Sequence, residues 1–179
     1  MYFPRSLLLL FALLAPLPAN ASGSDNWETF SNFGAYGLAG AALALPAYKN
    51  DWVGFKQAGY SVATASGVGL AGKSLIDSER PDKSGNDSFP SSHTANAFAA
   101  ATTLNLRYGW EVGFPAYGFA ALVGVGRVQA DKHYWRDVLS GALIGSLAGY
   151  IFTDSFDDRV SIAPWLGRHD AGLTVSVNW

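Results

Sequence analysis

Stretches without a charged residue alternate along this chain with short polar junctions. Residues 33–48, 57–72, 93–106, 112–126 and 138–153 contain no Asp, Glu, Lys or Arg. Each is rich in Ala, Gly, Ser and Leu and poor in Pro, a pattern that predicts helices rather than strands. "GLAGAALAL" and "SGALIGSLAG" present small-residue surfaces on which helix backbones approach closely. The segments are apolar almost all round, as in core helices of a compact bundle or in short membrane spans. At about 14 to 16 residues they fall below the roughly 20 that cross a bilayer. The expected fold class is all-α: a helical bundle of about five apolar helices.

The tail follows a different period. In "VSIAPWLGRHDAGLTVSVNW", Leu173, Val175, Val177 and Trp179 alternate with small or polar residues, which predicts a small C-terminal β-hairpin over 160–179. A final aromatic after such alternation also suits an outer-membrane barrel strand, but one hairpin cannot close a barrel. At the other end, "MYFPRSLLLLFALLAPLPANAS" places Arg5 before an apolar run and Ala19-Asn20-Ala21 before Ser22. This is the layout of a secretory signal peptide over 1–21, cleaved after Ala21. An uncleaved first membrane helix is the alternative, and either way Ser22 lies on the export side. Residues 22–179 then form a single domain.

Composition narrows the function classes. Charged residues are 15% of the 179-residue chain and apolar ones 49%, against roughly 25% charged in an ordinary soluble domain. A net charge of −2 and a pI near 5.8 give no basic stripe, so no nucleic-acid partner is expected. No cysteine is present, which excludes disulfides and thiolate metal sites.

The scarce charges collect at the junctions. Lys73 ends one apolar segment, and Arg80-Pro81 follows after six residues. Pro90-Ser91-Ser92-His93 opens the next segment, with Ser91 or Ser92 placed to cap a helix whose N-terminal N–H groups suit an anion. Farther on, five residues separate Arg127 from His133, and three separate His133 from Asp137. A helical turn there would put Asp137 on the face of His133, where a carboxylate holds an imidazole in one tautomer. If the segments run antiparallel, Lys73, Arg80, Arg127, both imidazoles and Asp137 gather at one end of the bundle. Such a cluster of cations on an apolar body is costly unless an anion, a phosphate above all, occupies it. Lys83, Lys132 and Arg136 read as solvated or substrate-steering charges.

"KSLIDSERP", "PSSH" and "RVQADKHYWRD", in this order, resemble the three-part signature of the type 2 phosphatidic acid phosphatase superfamily, K-x6-R-P, P-S-G-H and S-R-x5-H-x3-D. The match runs from Lys73 to Asp137, and two positions depart from it: Ser92 replaces the glycine of the second block, and Gly126 the serine of the third. The resemblance implies that His133 attacks phosphorus to form a phosphohistidine and that Asp137 orients it. It implies that His93 protonates the leaving alkoxide and then activates water. Lys73, Arg80, Arg127, Ser91 and Ser92 would hold the phosphoryl oxygens. Such transfer relies on positioning and charge neutralisation, so no metal or other cofactor is expected.

The expected substrate is a phosphate ester, a lipid phosphate first, with membrane association; a soluble periplasmic acid phosphatase is the second reading. A haloperoxidase using the same pocket ranks below both, since the chain is short for one. A third class is an exported helical protein that binds an anionic headgroup without turnover. Counting segments from an exported Ser22 places the site in the periplasm, or on the periplasmic face of a bacterial inner membrane.

Overall fold

The computed structural model describes residues 23–154, 160–166 and 170–177; the expected signal segment lies outside them. Five helices follow one another: α1 (Gly23–Tyr48), α2 (Trp52–Leu75), α3 (Ser92–Tyr108), α4 (Trp110–Gln129) and α5 (Trp135–Phe152). Strands β1 (Val160–Leu166) and β2 (Ala171–Val177) then pair antiparallel, from Val160 opposite Val177 to Leu166 opposite Ala171. The all-α bundle with a terminal hairpin is the expected architecture.

The helices are longer than the charge-free stretches, at 26, 24, 17, 20 and 18 residues. The reason is local. Charged residues such as Glu28, Arg107 and Arg127 sit within the first or last two turns of their helices, where a side chain reaches solvent or a partner at the bundle end. Asp51 starts α2 by accepting the Gly54 N–H at 2.9 Å. Gly109 alone separates α3 from α4, at φ 82°, a left-handed conformation that favours glycine.

Helix α3 is the axis of the bundle and packs against all four other helices. It buries Thr94, Ala95, Ala97, Ala99, Ala100, Ala101, Thr102, Thr103 and Leu104. Most of the core is alanine: Ala35, Ala42, Ala58, Ala116 and Ala120 join α3's alanines around Leu38 and Val123. Small side chains bring the axes close, and α5 comes closest. A Cβ on Gly141 would stand 2.5 Å from the Ser91 carbonyl oxygen, one on Gly145 2.0 Å from that of Ala95, and one on Gly149 2.5 Å from Thr102 Cβ. Glycine every fourth residue thus lays one face of α5 against the α3 backbone, where many short dispersion contacts replace large interlocking side chains.

At the end away from the N-terminus of α3, a buried polar cluster joins three helices. Arg107 donates to both oxygens of Asp51, at 2.7 and 2.6 Å, and the Tyr108 hydroxyl donates to Asp51 at 2.8 Å. Arg107 also reaches the Asp154 carbonyl, and Gln57 the Asp154 carboxylate. Sequence patterning gave no sign of this network, because its members come from three separate junctions and, in Gln57, from within α2.

Large apolar residues remain on the outer surface. Leu139, Leu143, Leu147 and Ile151 form an exposed stripe along α5, and Leu70, Leu75, Phe114 and Leu122 are exposed on α2 and α4. Tyr48, Trp52 and Trp110 are exposed at one end of the bundle and Tyr134 and Trp135 at the other. Among the described residues no helix is long and apolar enough to cross a membrane.

Candidate active site

Helices α2 and α4 end, and α3 and α5 begin, at the same end of the bundle. Lys73 lies in the last turn of α2, Arg127 in the last turn of α4, His93 in the first turn of α3 and Asp137 in the first turn of α5. Arg80 sits in the segment joining α2 to α3, and His133 in the one joining α4 to α5.

Backbone pairing folds the α2–α3 connection back on itself. Ser78 N–H donates to the Asn86 carbonyl, Ser88 N–H to that of Ser78 and Arg80 N–H to that of Gly85, at 2.9 to 3.0 Å. This sets Asp87 opposite Arg80, whose Nε and Nη2 donate to its two carboxylate oxygens at 2.7 and 3.0 Å. Lys73 Nζ donates to the Asp87 backbone carbonyl and lies 3.5 Å from its carboxylate. The connection is also anchored across the site, where Asp82 N–H donates to the Asp131 carbonyl at 3.0 Å. Lys132 pairs with Asp82 at 2.9 Å and with Glu28 of α1 at 3.3 Å. Lys132 is therefore a structural tie rather than a solvated charge. Arg136 keeps an exposed side chain, stacked 5.0 Å from the Tyr134 ring.

His133 and Asp137 are 2% and 0% exposed. The sequence suggested that a helical turn would align them. Instead His133 precedes α5, in a turn whose His133 N–H bonds the Arg127 carbonyl at 3.2 Å. Its Nδ1 still lies 3.7 Å from Asp137 Oδ2, an ion-pair distance rather than a hydrogen bond. That oxygen accepts the Ser88 hydroxyl at 2.6 Å and the Tyr134 N–H at 2.9 Å. His133 Nδ1 and Asp137 Oδ1 are both buried without a hydrogen-bond partner. Arg136 Nε lies 3.4 Å from Asp137 Oδ1, so the carboxylate stands between that guanidinium and the imidazole.

The start of α3 is fastened to α5 by Ser91 N–H donating to the Asp137 carbonyl at 3.1 Å. Ser91 occupies the N-cap, but its hydroxyl pairs with that of Thr94 at 2.9 Å and caps no backbone N–H. Ser92 Oγ is buried, has no partner, and lies 2.6 Å from where a Cβ on Gly69 would stand. The side chain that departs from the family pattern thus fits a notch on α2. Gly126 is similarly enclosed: a Cβ there would lie 3.0 Å from Ser31 Cβ.

Helix α1, which carries no part of the signature, supplies contacts that the sequence did not suggest. Arg127 Nη1 donates to Asn32 Oδ1 at 2.7 Å and approaches the Ser31 hydroxyl at 3.4 Å, while its Nε has no partner. The Tyr36 ring meets His93 edge-on, with centroids 5.6 Å apart. Glu28, Ser31 and Asn32 share a face by helical spacing in the polar first part of α1, ahead of its charge-free stretch, and that was the available signal.

The electrostatics show one shared field. Burial, then Arg127, Lys73 and Arg80 in turn, push the His93 imidazole down to about 4. Burial and the same three cations hold His133 well below its ordinary value, against the opposing pull of Asp137. Burial, assisted by Arg80 and opposed by Glu28, lowers Arg127 to about 10. Lys73 is lowered by burial, with Asp87 opposing. Both imidazoles are thus held neutral near pH 7, and each faces three positive charges. Such a cup accepts an anion, and a neutral imidazole in it is a competent nucleophile or base. Among the described residues no group of three or more His, Asp or Glu is placed to hold a metal ion.

Known proteins resemble this chain in sequence and in fold. The PAP2 superfamily model covers residues 54–161. Lipid A 1-phosphatase of Porphyromonas gingivalis is 39% identical over 92 residues, 49% of this chain and 20% of that protein. Lipid phosphate phosphatase 1 of Arabidopsis thaliana is 39% identical over 80 residues, 36% of this chain and 24% of that protein. The chain thus spans about a quarter or less of the length of these curated relatives. The crystal structure of Aquifex aeolicus LpxE superposes with a TM-score of 0.62 over 83% of this chain and 94% of that one, at 24% identity, and shares the fold. With the model matched over more than half its length and all three motif blocks inside that match, this chain belongs to the PAP2 superfamily.

Proposed function

We propose that this protein is a metal-independent phosphatase that hydrolyses phosphate esters, lipid phosphates foremost, through a phosphohistidine on His133. The observation that carries this reading is the gathering of His133, buried, and His93, half-buried, at one bundle end with Lys73, Arg80 and Arg127, whose charges depress both imidazoles. The three cations and the backbone N–H groups in the first turn of α3 bind the phosphoryl oxygens, while the Ser91 hydroxyl, paired with Thr94, and the Ser92 hydroxyl, set against Gly69, hold that turn in place. His133 Nε2 attacks phosphorus as the P–O ester bond breaks, and Asp137 takes up the positive charge forming on the ring. The phosphate dianion offsets the cationic field at His93, so His93 becomes protonated on substrate binding and donates that proton to the leaving alkoxide. Neutral His93 then removes a proton from water, the hydroxide attacks phosphorus and the P–N bond breaks. Inorganic phosphate and free His133 result.

The lipid preference is supported by relatives named for lipid phosphates and by the exposed Leu and aromatic residues around the bundle. Aromatics at both ends of an apolar body suit a membrane interface. The start of α1 lies at the site end, as the Glu28–Lys132 pair requires; if residue 22 is on the export side, the site faces the periplasm. The test is phosphate release from lipid and soluble esters in the presence of a chelator. The proposal predicts turnover that favours lipid esters, competitive inhibition by vanadate, and no turnover by folded His133→Ala. Release only after added metal, or turnover by the His133 variant, would overturn it.

A further inference from the structure

Asp87 stands between the two cations that the proposed function gives to the phosphate. Arg80 commits Nε and Nη2 to its carboxylate at 2.7 and 3.0 Å, which leaves Nη1 outside the pair. Lys73 commits a donor to the Asp87 carbonyl and keeps its ammonium 3.5 Å from the carboxylate. The Asp87 side chain is 49% exposed, while those of Lys73 and Arg80 are 16% and 17% exposed, so the open side of the trio is Asp87. Its carboxyl is kept well below the usual range by the Arg80 hydrogen bonds first, and then, against burial, by the charge of Lys73; it is an anion wherever the enzyme would work. Its backbone is pinned by the Ser88 N–H bond to Ser78, and Ser88 in turn holds Asp137. The carboxylate therefore has a fixed place in the cup.

We propose that Asp87 is a specificity-determining residue, an internal anion that competes with phosphate oxygens for Arg80 and Lys73. The inference rests on reading the cup as a phosphate site and adds the rule by which the cup selects charge. A bidentate Arg–carboxylate pair uses the same donor fork that Arg offers phosphate. A bound phosphate must share or displace the carboxylate, so each ligand charge is held less tightly than three bare cations would hold it. Product phosphate leaves more readily as a result. Because Coulomb energy scales with the product of charges, the penalty is larger for a dianion than for a monoanion.

The test is calorimetric binding of inorganic phosphate at pH 8, where it is mainly the dianion, and of dimethyl phosphate, a monoanion, to the purified full chain and to Asp87→Asn. Asparagine keeps the shape and one acceptor for Arg80 but removes the charge. With the side chain half in solvent, the expected gain in affinity is about fivefold for the dianion and about twofold for the monoanion. Asp87→Glu, which retains the charge, is expected to bind phosphate within about twofold of the parent. Should Asp87→Asn not fold, tighter phosphate binding by Asp87→Glu than by the parent overturns the proposal, and unchanged binding supports it. Equal or weaker phosphate binding by folded Asp87→Asn, or the same gain for both ligands, overturns it: Asp87 would then only buttress Arg80. Binding needs no turnover, so a protein that binds phosphate with this charge rule yet hydrolyses nothing would refute the catalytic reading and leave the Asp87 assignment standing. Failure of every variant and the parent to bind phosphate would remove both.

Discussion

Gly145→Ala tests the link between packing and site more severely than any change to a charged residue. The added methyl would stand 2.0 Å from the Ala95 carbonyl oxygen and 2.8 Å from the Ala99 nitrogen. Both neighbours are backbone of α3, so no side chain can swing aside. Restoring an ordinary contact of about 3.5 Å requires α5 and α3 to part by roughly 1 to 1.5 Å. Overpacking of this kind costs about 1–3 kcal/mol, or a fall of about 2–10 °C in Tm at this chain length. The same helices carry His93 and Asp137 and are joined by the bond from Ser91 N–H to the Asp137 carbonyl at 3.1 Å. A misplacement of about 1 Å between reacting groups costs up to about a hundredfold in rate. Gly118→Ala is the control: its Cβ would meet nothing within 4 Å, and alanine there should stabilise the helix by about 0.5–1 kcal/mol. The assays are denaturant unfolding and phosphate release on the same preparations. A Gly145→Ala protein as stable and active as its parent would refute the backbone-contact account of the bundle.

Other outcomes follow from the same structure. Burial works to raise the Asp51 carboxyl, but hydrogen bonds from Arg107, Gly54 and Tyr108 overcome it and hold the group at about 2 against an ordinary 3.8. That difference contributes about 2 kcal/mol above pH 4, lost as the pH falls from about 4 towards 2. Asp51→Asn, which strands a buried guanidinium, should cost about 3–5 kcal/mol at pH 7; urea unfolding should show the gap to the parent narrowing below pH 4, and a gap constant with pH would count against the pair. Histidine NMR should find His93 neutral down to about pH 5 in the free protein, with its pKa raised when phosphate or vanadate binds. Titration near 6.5 in the empty site would contradict the cationic cup. Ser88→Ala removes the 2.6 Å donor to Asp137 and should destabilise the fold by about 1–3 kcal/mol while lowering turnover; unchanged values for both would show that the contact carries no weight.

The five helical cores were legible because glycine, alanine and leucine fill them without interruption, and the hairpin because Leu173 and Val175 keep a period of two. Boundaries were less legible. A criterion of no charge cuts a helix where Glu28 or Arg107 begins, although a terminal turn tolerates a charge that has a partner. The signature residues could be placed at one bundle end because each lies at the end of an apolar segment or in the junction between two of them. Asp87 could not, since an acidic loop residue looks solvated until the fold sets it against Arg80. Asn32 and Tyr36 were hidden for another reason: α1 contributes through tertiary contact, and its sequence carries no motif.

The central claim is that His133 carries the phosphoryl group between ester and water. The most direct measurement is mass spectrometry of the protein quenched in alkali within milliseconds of mixing with a phosphomonoester that has a good leaving group. The account predicts phosphate on His133 Nε2 that disappears as substrate is consumed. Phosphate on another residue, or steady turnover with no covalent adduct, would contradict it.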